Sequence, residues 1–447
     1  MNRRELFESA TLTAAALGLK SLWPAAVEAS QAVSGARQRG LPPVTITEVK
    51  SVLTAPAGRR LAVVKVLTSE PGLYGLGCAT FTQRIRAVQT AIDVYLRPFL
   101  IGKSPWNIED VWHSSFFSSY WRNGPVLNNA LSAVDMALWD ILGKWSGLPV
   151  YQLLGGKCRE AVDTYTSASG KSFDETAESV QRLMDAGYRH VRCEPHVPET
   201  PTDSVLPSSS PLPGNQQRRT WEAGPYARNL PRFFEHLRKK VGFNVELVTD
   251  VHELLPPILA IQLAKDLEPY RLFFLEDPLS PEDVGYFTHL RQQSSTPIAM
   301  GELFNNPNEW LNLVSGRLID FIRVHISQVG GISMARKLAT LCEFFRVRTA
   351  WHGPGDCSPV GHAANLHLDF ACHNFGIQEF HGLTQAEQDV FPGSPQQKRG
   401  YLYVSDKPGL GVDLDEKLAA RFPIKDDPSF DMHWGNLRQL DGTIVKP

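Results

Sequence analysis

The middle of the chain alternates short apolar segments with amphipathic ones, and this alternation limits the possible folds more than any other feature. The apolar segments predict eight strands, at Val162–Ser167, His190–Glu194, Val245–Asp250, Leu272–Glu276, Pro297–Gly301, Phe321–Val324, Arg348–His352 and Phe375–Glu379. The segments between them carry apolar residues at helical spacing, which is typical of βα units in a parallel sheet. Eight such units predict an α/β fold, a modified (β/α)8 barrel of the TIM type over residues 161–400.

The two ends of the chain do not follow this alternation. An alternating apolar pattern from Val44 to about Leu67 predicts antiparallel strands. Helical spacing of apolar residues predicts three later helices, at Arg86–Phe99, Ile108–Tyr120 and Asn128–Ser146. We therefore predict an α+β capping domain over residues 44–160, to which the tail, residues 401–447, returns. One connection inside the barrel, Pro195 to Gly224, is long and rich in Pro, Ser and Gln, as lids and disordered insertions are.

Charge and cysteine content exclude several classes of protein. The 447 residues include 45 Lys and Arg against 47 Asp and Glu, a formal net charge of −2 without long runs of one sign. Neither nucleic acid nor an anionic membrane surface is therefore an expected partner. The six cysteines are scattered without a CxxC pair, which argues against a disulfide framework and against a zinc site. A small molecule or another protein is the expected partner.

The N-terminus has the pattern of a targeting segment. Arg3 and Arg4 precede a mildly apolar stretch, Ala10 to Leu19, that is too short for a permanent membrane span, and Ala29 closes a small-x-small cleavage site. This resembles a twin-arginine export signal over residues 1–29, which predicts a periplasmic protein without a stable membrane anchor. The alternative is a surface extension on a cytoplasmic enzyme.

Three consecutive predicted strands end in a carboxylate. Asp250, Glu276 and Glu302 follow one another at intervals of 26 residues, one βα unit each. Since neighbouring strand ends lie side by side on one rim of a barrel, we expect the three carboxylates to converge there. They would repel one another strongly without a hard cation between them, and a set of oxygen ligands favours Mg²⁺.

Other polar residues fall on the same predicted rim. His252 follows Asp250 by two positions, Arg323 lies near the end of strand six, His352 and Asp356 follow strand seven, and Glu379 ends strand eight. Together they indicate a site for a polar, anionic ligand. Taken singly, His352 can equally be a core histidine, and Arg323 a buried partner of Glu302 or Glu379.

The motifs that contain these residues resemble those of the enolase superfamily. Within it the chain is most similar to the mandelate racemase/muconate lactonizing enzyme family, in its mannonate/galactonate dehydratase branch. The resemblance runs from about Val44 to the C-terminus and is carried by Ala133–Asp140, Tyr151–Gly156, Thr249–His252, Phe274–Pro278, Gly301–Asn305, His352–Asp356, Ser358–Pro359 and Asn374–Glu379.

The resemblance implies a Mg²⁺-dependent lyase that dehydrates sugar acids. A base removes the proton next to the carboxylate, one Mg²⁺ per subunit stabilises the enediolate, and loss of the β-hydroxyl gives a 2-keto-3-deoxy acid. The implied general acid is His252, and the implied substrate contacts are Arg323, His352, Asp356 and Glu379. Arg192 corresponds to an arginine that works with a tyrosine base. The family also implies a homo-oligomer.

The chain departs from this pattern where the base and the substrate contacts are expected. The connection from Pro195 to Gly224 contains no tyrosine, and Tyr226 belongs to the following helix. Thr82 and Ser167 replace an Asn and a His, and Asp441–Val445 contains no tryptophan. Strand six offers no terminal Asp to pair with His352, which is then the expected base unless the long connection supplies one.

Three functions therefore stay open. The first is dehydration of a sugar acid. The second keeps the same proton abstraction but ends in epimerisation, racemisation or cycloisomerisation. The third is a protein that binds the metal and the acid sugar with little or no turnover and serves a divergent binding or sensing role, since loss of a base lowers the rate by orders of magnitude but leaves the site.

Overall fold

The structure is a computed structural model and describes residues 41–195, 219–355, 357–431, 434–439 and 441–446. The chain divides into two compact units, residues 1–44 and 45–447. In the first unit the described residues 41–44 form no helix or strand. The predicted export signal lies outside the described residues. No helix in the described ranges combines the length and the apolar character that a membrane crossing requires.

The first part of the second unit is an antiparallel sheet backed by helices. Strands β1 (Ile46–Thr54), β2 (Leu61–Thr68) and β3 (Tyr74–Cys78) pair in that order. The helices are α1 (Ile85–Thr90), α2 (Arg97–Leu100), α3 (Ile108–Phe116), α4 (Pro125–Ser146) and α5 (Val150–Leu153), with a π-helical segment at Ala91–Leu96. Helix α4 packs on β3, where a methyl group at Gly77 would meet the carbonyl oxygen of Ala133 at 1.8 Å. A glycine therefore allows the close approach of helix and sheet.

Eight parallel strands form the barrel-like part of the chain. They are β4 (Val162–Ala168), β5 (His190–Cys193), β7 (Glu246–Asp250), β8 (Phe274–Glu276), β9 (Ile298–Met300), β10 (Phe321–Ile322), β11 (Arg348–Thr349) and β12 (Gln378–Glu379); the short β6 (Arg219–Thr220) lies apart. Pairing runs from β11 through β10, β9, β8, β7 and β5 to β4, which also pairs with β12. A parallel bridge joins Thr349 to Phe375, three residues before β12. The barrel prediction is confirmed, and every strand except β4 is shorter than the apolar segment that predicted it.

Helices follow most of these strands and cover them from outside. They are α6 (Phe173–Asp185), α7 (Ala223–Val241), α8 (Pro257–Asp266), α9 (Phe287–Gln293), α10 (Pro307–Ser315), α11 (Ile326–Val329), α12 (Gly331–Phe345), α13 (Pro359–Ala371) and α14 (Gln385–Val390), with 3-10 turns at Glu268–Tyr270 and Pro281–Tyr286. The strands fill the inside with a separate buried cluster that includes Tyr165, Val248, Phe274 and Phe321. Packed side chains inside the sheet leave the strand ends as the place for a site.

The C-terminal residues join the barrel to the capping sheet. Strands β13 (Gln396–Lys398) and β14 (Tyr401–Tyr403) form a hairpin on β4, and β15 (Leu437–Arg438) pairs with β6. The other elements are α15 (Glu416–Ala419), α16 (Pro428–Asp431) and a 3-10 turn at Trp434–Asn436. Glu416 forms ion pairs with Lys50 and Lys65, and Asp431 pairs with Arg60 at 2.5 Å. The tail thus contacts the capping sheet through charged groups.

Helix α4 docks on the barrel next to the rim. The carboxylate of the buried Asp135 accepts hydrogen bonds from the backbone N–H of Ser333 at 3.0 Å and from its hydroxyl at 2.5 Å. Ser132 accepts a bond from the N–H of Gly330. Gly330 and Ser333 follow β10, the strand that leads to Arg323, so the capping helix is fixed beside the predicted site.

Candidate active site

The ends of the barrel strands bring some of the predicted carboxylates close together. Asp250 and Glu276 are the last residues of β7 and β8, and the parallel register places them directly opposite each other. Glu302 lies two residues beyond β9, and Glu379 ends β12 opposite Tyr165. Oxygens of Asp250, Glu276 and Asp277 lie within 4.8 Å of one another, and so do those of Glu253, Asp277 and Glu302. The predicted triad is therefore split between two overlapping groups that share Asp277.

Two arginines lie among these carboxylates. Arg192 Nη1 is 3.3 Å from Asp250 Oδ2, 3.3 Å from Glu379 Oε1 and 3.9 Å from Glu276 Oε1. Its Nε also donates a hydrogen bond to the hydroxyl of Ser167 at 3.3 Å. Arg192 thus contacts carboxylates at the ends of three strands, β7, β8 and β12.

Arg323 is fully buried and pairs with the carboxylates on its other side. Its Nη2 forms a close ion pair with Glu276 and lies 3.0 Å from Glu379 Oε2 and 3.9 Å from Glu302 Oε2. Its Nη1 donates to the hydroxyl of Tyr165 at 2.9 Å. These bonds engage both terminal nitrogens of the guanidinium. Of the two roles that the sequence left open, buried ion-pair partner and substrate contact, Arg323 therefore has the geometry of the first.

The electrostatics of the rim suit a divalent cation. Burial raises the pKa of Asp250 to about 8, and the neighbouring carboxylate of Glu302 adds to the rise. Burial likewise raises the pKa of Glu276 to about 8, although Arg323 acts against it. Protein cations do not compensate these carboxylates fully, and oxygen ligands are those that Mg²⁺ prefers. The residues present therefore fit a Mg²⁺ ion, with Asp250, Glu276 and Glu302 as the predicted ligands.

We expect the affinity for Mg²⁺ to rise with pH up to about 8. Asp250 and Glu276 bind a metal only when ionised, and without metal each has a pKa of about 8. Each proton displaced should change the affinity by about tenfold per pH unit below that value and by little above it. Isothermal titration calorimetry from pH 6 to pH 9, in buffers of different ionisation enthalpy, measures the affinity and the protons released; equal affinity and no proton release would contradict the expectation.

The turns that follow β7 and β8 have an unusual backbone. His252, Glu253 and Asp277 have φ of +46°, +55° and +43°, in the left-handed region that non-glycine residues seldom enter. Each such residue costs on the order of 1 kcal/mol, and strain of this kind collects at functional sites. The N–H of His252 donates to Asp250 Oδ1 at 2.8 Å, and the N–H of Glu253 donates to the carbonyl of Asp277. These bonds hold the two turns against the carboxylates.

Two histidines flank the carboxylates from opposite sides. His252 Nε2 lies 3.0 Å from Asp250 Oδ2, and His352 Nε2 lies 3.1 Å from Glu302 Oε2. Although burial acts the other way, the charge and the hydrogen bond of Glu302 raise the pKa of His352 to about 9. Against the effect of burial, His352 in turn holds the pKa of Glu302 below its usual range.

His352 has a histidine partner in place of the missing aspartate. His325, one residue beyond the predicted end of strand six, lies with Nδ1 at 2.8 Å from Nδ1 of His352. Burial, with the charge of His352 beside it, lowers the pKa of His325 well below its usual value, so the ring is neutral. A neutral imidazole at this distance fixes the orientation of the His352 ring.

Comparison with known proteins assigns the chain to a family. Residues 39–155 match the family described as mandelate racemase/muconate lactonizing enzyme, N-terminal domain, and residues 175–418 match the family described as enolase C-terminal domain-like. The chain belongs to the mandelate racemase/muconate lactonizing enzyme family. This confirms the resemblance predicted from the motifs.

Similar proteins are named as D-galactonate dehydratase family members, and one similar structure is that of an enolase. The D-galactonate dehydratase family member RspA of Pantoea ananatis is 53% identical over 416 residues, which cover 90% of this chain and 99% of that protein. A D-galactonate dehydratase family member of Enterocloster bolteae is 50% identical, with 90% and 99% covered. The crystal structure of an enolase from Pantoea ananatis with bound D-gluconate and Mg matches with a TM-score of 0.85 and 52% identity, over 90% of this chain and 100% of that one.

Other predicted residues of this family site are placed as follows. Tyr226 lies in α7, and its hydroxyl is 3.5 Å from the carbonyl oxygen of Asp250; burial raises its pKa, which keeps the phenol neutral. Glu379 is fully buried between the two arginines and also accepts a bond from the N–H of Gly353 at 3.1 Å. Asp356 and most of the Pro195 to Gly224 connection lie outside the described residues.

Sequence reasoning missed several residues at the rim. Glu253 and Asp277 are buried carboxylates in the two groups. The available signal was their position in the turns after β7 and β8, three residues beyond Asp250 and one beyond Glu276. Trp434 brings its ring to 5.8 Å from that of His252. An aromatic ring of the tail therefore does reach the rim, although not from Asp441–Val445, where the sequence comparison looked for it.

Proposed function

We propose that the protein is a Mg²⁺-dependent dehydratase of sugar acids. The observation that carries this proposal is the pair of histidines, His252 and His352, on opposite sides of carboxylates that fit a Mg²⁺ ion. The family assignment, relatives named as D-galactonate dehydratase family members and a neighbour with D-gluconate and Mg support it. When bound, the metal would polarise the substrate carboxylate and acidify the neighbouring C–H bond.

The side chains of this protein would then move two protons. His352, oriented by His325, takes the proton from the carbon next to the carboxylate, and the electron pair of that C–H bond forms a carbon–carbon double bond. His252 gives a proton to the β-hydroxyl, whose C–O bond breaks so that water leaves. Tautomerisation of the resulting enol gives the 2-keto-3-deoxy acid. Arg192 lies beside Asp250 and Glu379 and can orient the substrate.

His352, with its raised pKa, can act as the base only when Glu302 is engaged elsewhere. Glu302 is the cause of the rise to about 9, at which the ring holds its proton and cannot accept another. A cation held by Glu302 would compensate its charge, so that the pKa of His352 would fall toward that of a free imidazole. His352 would then be able to act as the base at neutral pH.

We expect the two histidine variants to fail at different steps. His352→Asn should lose both exchange of the α-proton and product, whereas His252→Asn should retain exchange in D₂O and lose product by about 10²-fold to 10⁴-fold. Proton NMR with Mg²⁺ and a panel of hexonic, pentonic and uronic-derived acids follows both signals. His373→Asn is the matched control, since that ring is 84% exposed and remote from the rim.

The same spectra separate this proposal from its alternatives. A 2-keto-3-deoxy product supports a dehydratase and names the substrate. Exchange of the α-proton by the natural protein without dehydration would move the assignment to an epimerase or racemase. Silence across the panel, with Mg²⁺ shown to bind, would favour a binding or sensing protein.

We also propose a homo-oligomer and export to the periplasm. Tyr120 and Trp121 on the capping domain are each 83% exposed, which is typical of surfaces that associate. Arg3 and Arg4 support the export signal. Light scattering of the purified protein and fractionation of cells that produce it test the two statements; a monomer, or an uncleaved protein confined to the cytoplasm, would refute them.

A further inference from the structure

A large cavity adjoins the candidate active site between the capping sheet and the C-terminal segment. It measures about 710 Å³, and its lining includes Arg59, Thr82, Gly355 and Lys425. Gly355 follows His352 by three residues, so their Cα atoms are at most about 11 Å apart. The loop after β11 therefore leads from His352, the predicted base, to the cavity. Over this distance an arginine side chain in the cavity can contact the far end of a sugar acid that is bound next to His352.

The cations of this cavity differ in how far they are engaged. Arg60 pairs with Asp431 at 2.5 Å and lies over the ring of Phe430, so its charge is compensated. Asp427, the acidic residue of the lining, accepts a bond from the N–H of Phe430 at 3.3 Å. Within the described ranges, Lys425 forms no ion pair. The cavity thus keeps donors that its own walls do not use.

Arg59 is the donor best placed to meet a ligand. Its Nη1 lies 3.6 Å from Glu387 Oε1, beyond hydrogen-bond distance, and its side chain is 36% exposed. Glu387 Oε1 therefore forms a long ion pair with one nitrogen of Arg59, while Oε2 accepts bonds from the N–H and the hydroxyl of Thr384. Arg59 donates no hydrogen bond to any residue that the structure describes. A guanidinium has five N–H donors in a planar fork that matches a carboxylate or a phosphate.

We propose that Arg59 binds a second anionic group on the substrate, at the end remote from the carboxylate next to the reacting carbon. The inference rests on the proposed function for the first carboxylate and extends it to a substrate class, sugar acids with an anion at both ends. That second anion is a carboxylate in an aldaric acid and a phosphate in a phosphorylated aldonic acid. Arg59 then determines specificity and takes no part in the proton transfers.

Calorimetric binding in the presence of Mg²⁺ tests this directly. We expect the wild-type protein to bind D-glucarate and D-galactarate at least about tenfold more tightly than D-gluconate and D-galactonate, since charge-assisted bidentate bonds are the strong ones. Arg59→Gln should bring the ratio of the two affinities close to one. Arg86→Gln is the matched control: it removes an exposed arginine that pairs with Asp426 outside the cavity and should retain the wild-type ratio.

A second variant acts on the same guanidinium without removing it. A methyl group at Gly355 would meet Arg59 Nε at 2.9 Å, so Gly355→Ala should displace the side chain and also lower the ratio. The same measurement with 6-phosphogluconate identifies the second anion. If 6-phosphogluconate binds more tightly than D-glucarate does, that anion is a phosphate. Equal wild-type affinities for mono- and dianionic acids, or an unchanged ratio in Arg59→Gln, would overturn the inference. A preserved preference without turnover would overturn the proposed function alone.

Discussion

Glu276→Gln should abolish tight binding of Mg²⁺ and with it turnover. The side chain ends β8 opposite Asp250, is fully buried, and supplies charge at the centre of the carboxylates. An amide of the same shape keeps the packing but removes that charge, so we expect the affinity to fall by about a hundredfold or more, since even changes next to metal ligands cost 10- to 100-fold. Isothermal titration calorimetry with Mg²⁺, or paramagnetic resonance with Mn²⁺, measures the loss.

The control for this variant is another glutamate to glutamine change. Glu178 is exposed on α6, and Glu178→Gln should bind Mg²⁺ as the natural protein does. If Glu276→Gln bound Mg²⁺ with unchanged affinity, the assignment of Asp250, Glu276 and Glu302 as ligands would be wrong.

Arg323→Met should lower the free energy of unfolding by about 3–5 kcal/mol, the usual cost of removing one partner from a buried ion pair. Arg323 is fully buried between Glu276 and Glu379 and donates to Tyr165. Methionine fills much of the same volume but leaves both carboxylates with Arg192 as their remaining guanidinium. Urea denaturation of the metal-free protein, followed by circular dichroism, measures the change.

A half-buried ion pair nearer the surface provides the comparison for this second variant. Arg291 pairs with Asp320 at 2.6 Å with both side chains partly in solvent, so Arg291→Gln should cost less than about 1 kcal/mol. A loss below 1 kcal/mol in Arg323→Met would show that Arg323 does not compensate the buried carboxylates. At a pH above about 8, where Glu276 is ionised, the double variant Glu276→Gln/Arg323→Met should regain part of the stability, since one uncompensated charge is removed as well.

The end of helix α3 shows how far apolar spacing can predict the boundary of a helix. The predicted helix over Ile108 to Tyr120 ends at Phe116 in the structure, although Phe117 and Tyr120 continue the apolar spacing. Both of these side chains are exposed, and Asn123 takes a positive φ before α4 begins. Spacing alone does not distinguish a side chain that faces the core from one that faces solvent, which is why the prediction ran too far.

The sequence by itself determined the barrel and the rim that carries Asp250, Glu276 and Glu302. A βα unit repeats along the chain with a regular length, and parallel strands always end on the same side, so a local period translates directly into a position in space. The family motifs lie on the same strand ends and were readable for the same reason.

Only the tertiary structure decided what each rim residue contacts. The ring of His352 contacts that of His325, which follows the preceding barrel strand. The ring of Trp434 packs near that of His252, 182 positions earlier in the chain. Arg59 faces the cavity beside Gly355 because the capping sheet folds over the barrel loops. His325 and His352 are one βα unit apart, so the period makes their strand ends neighbours, but the contact between the two rings depends on packing. The other two pairs join residues that no period relates, and packing between distant segments, not local propensity, places them together.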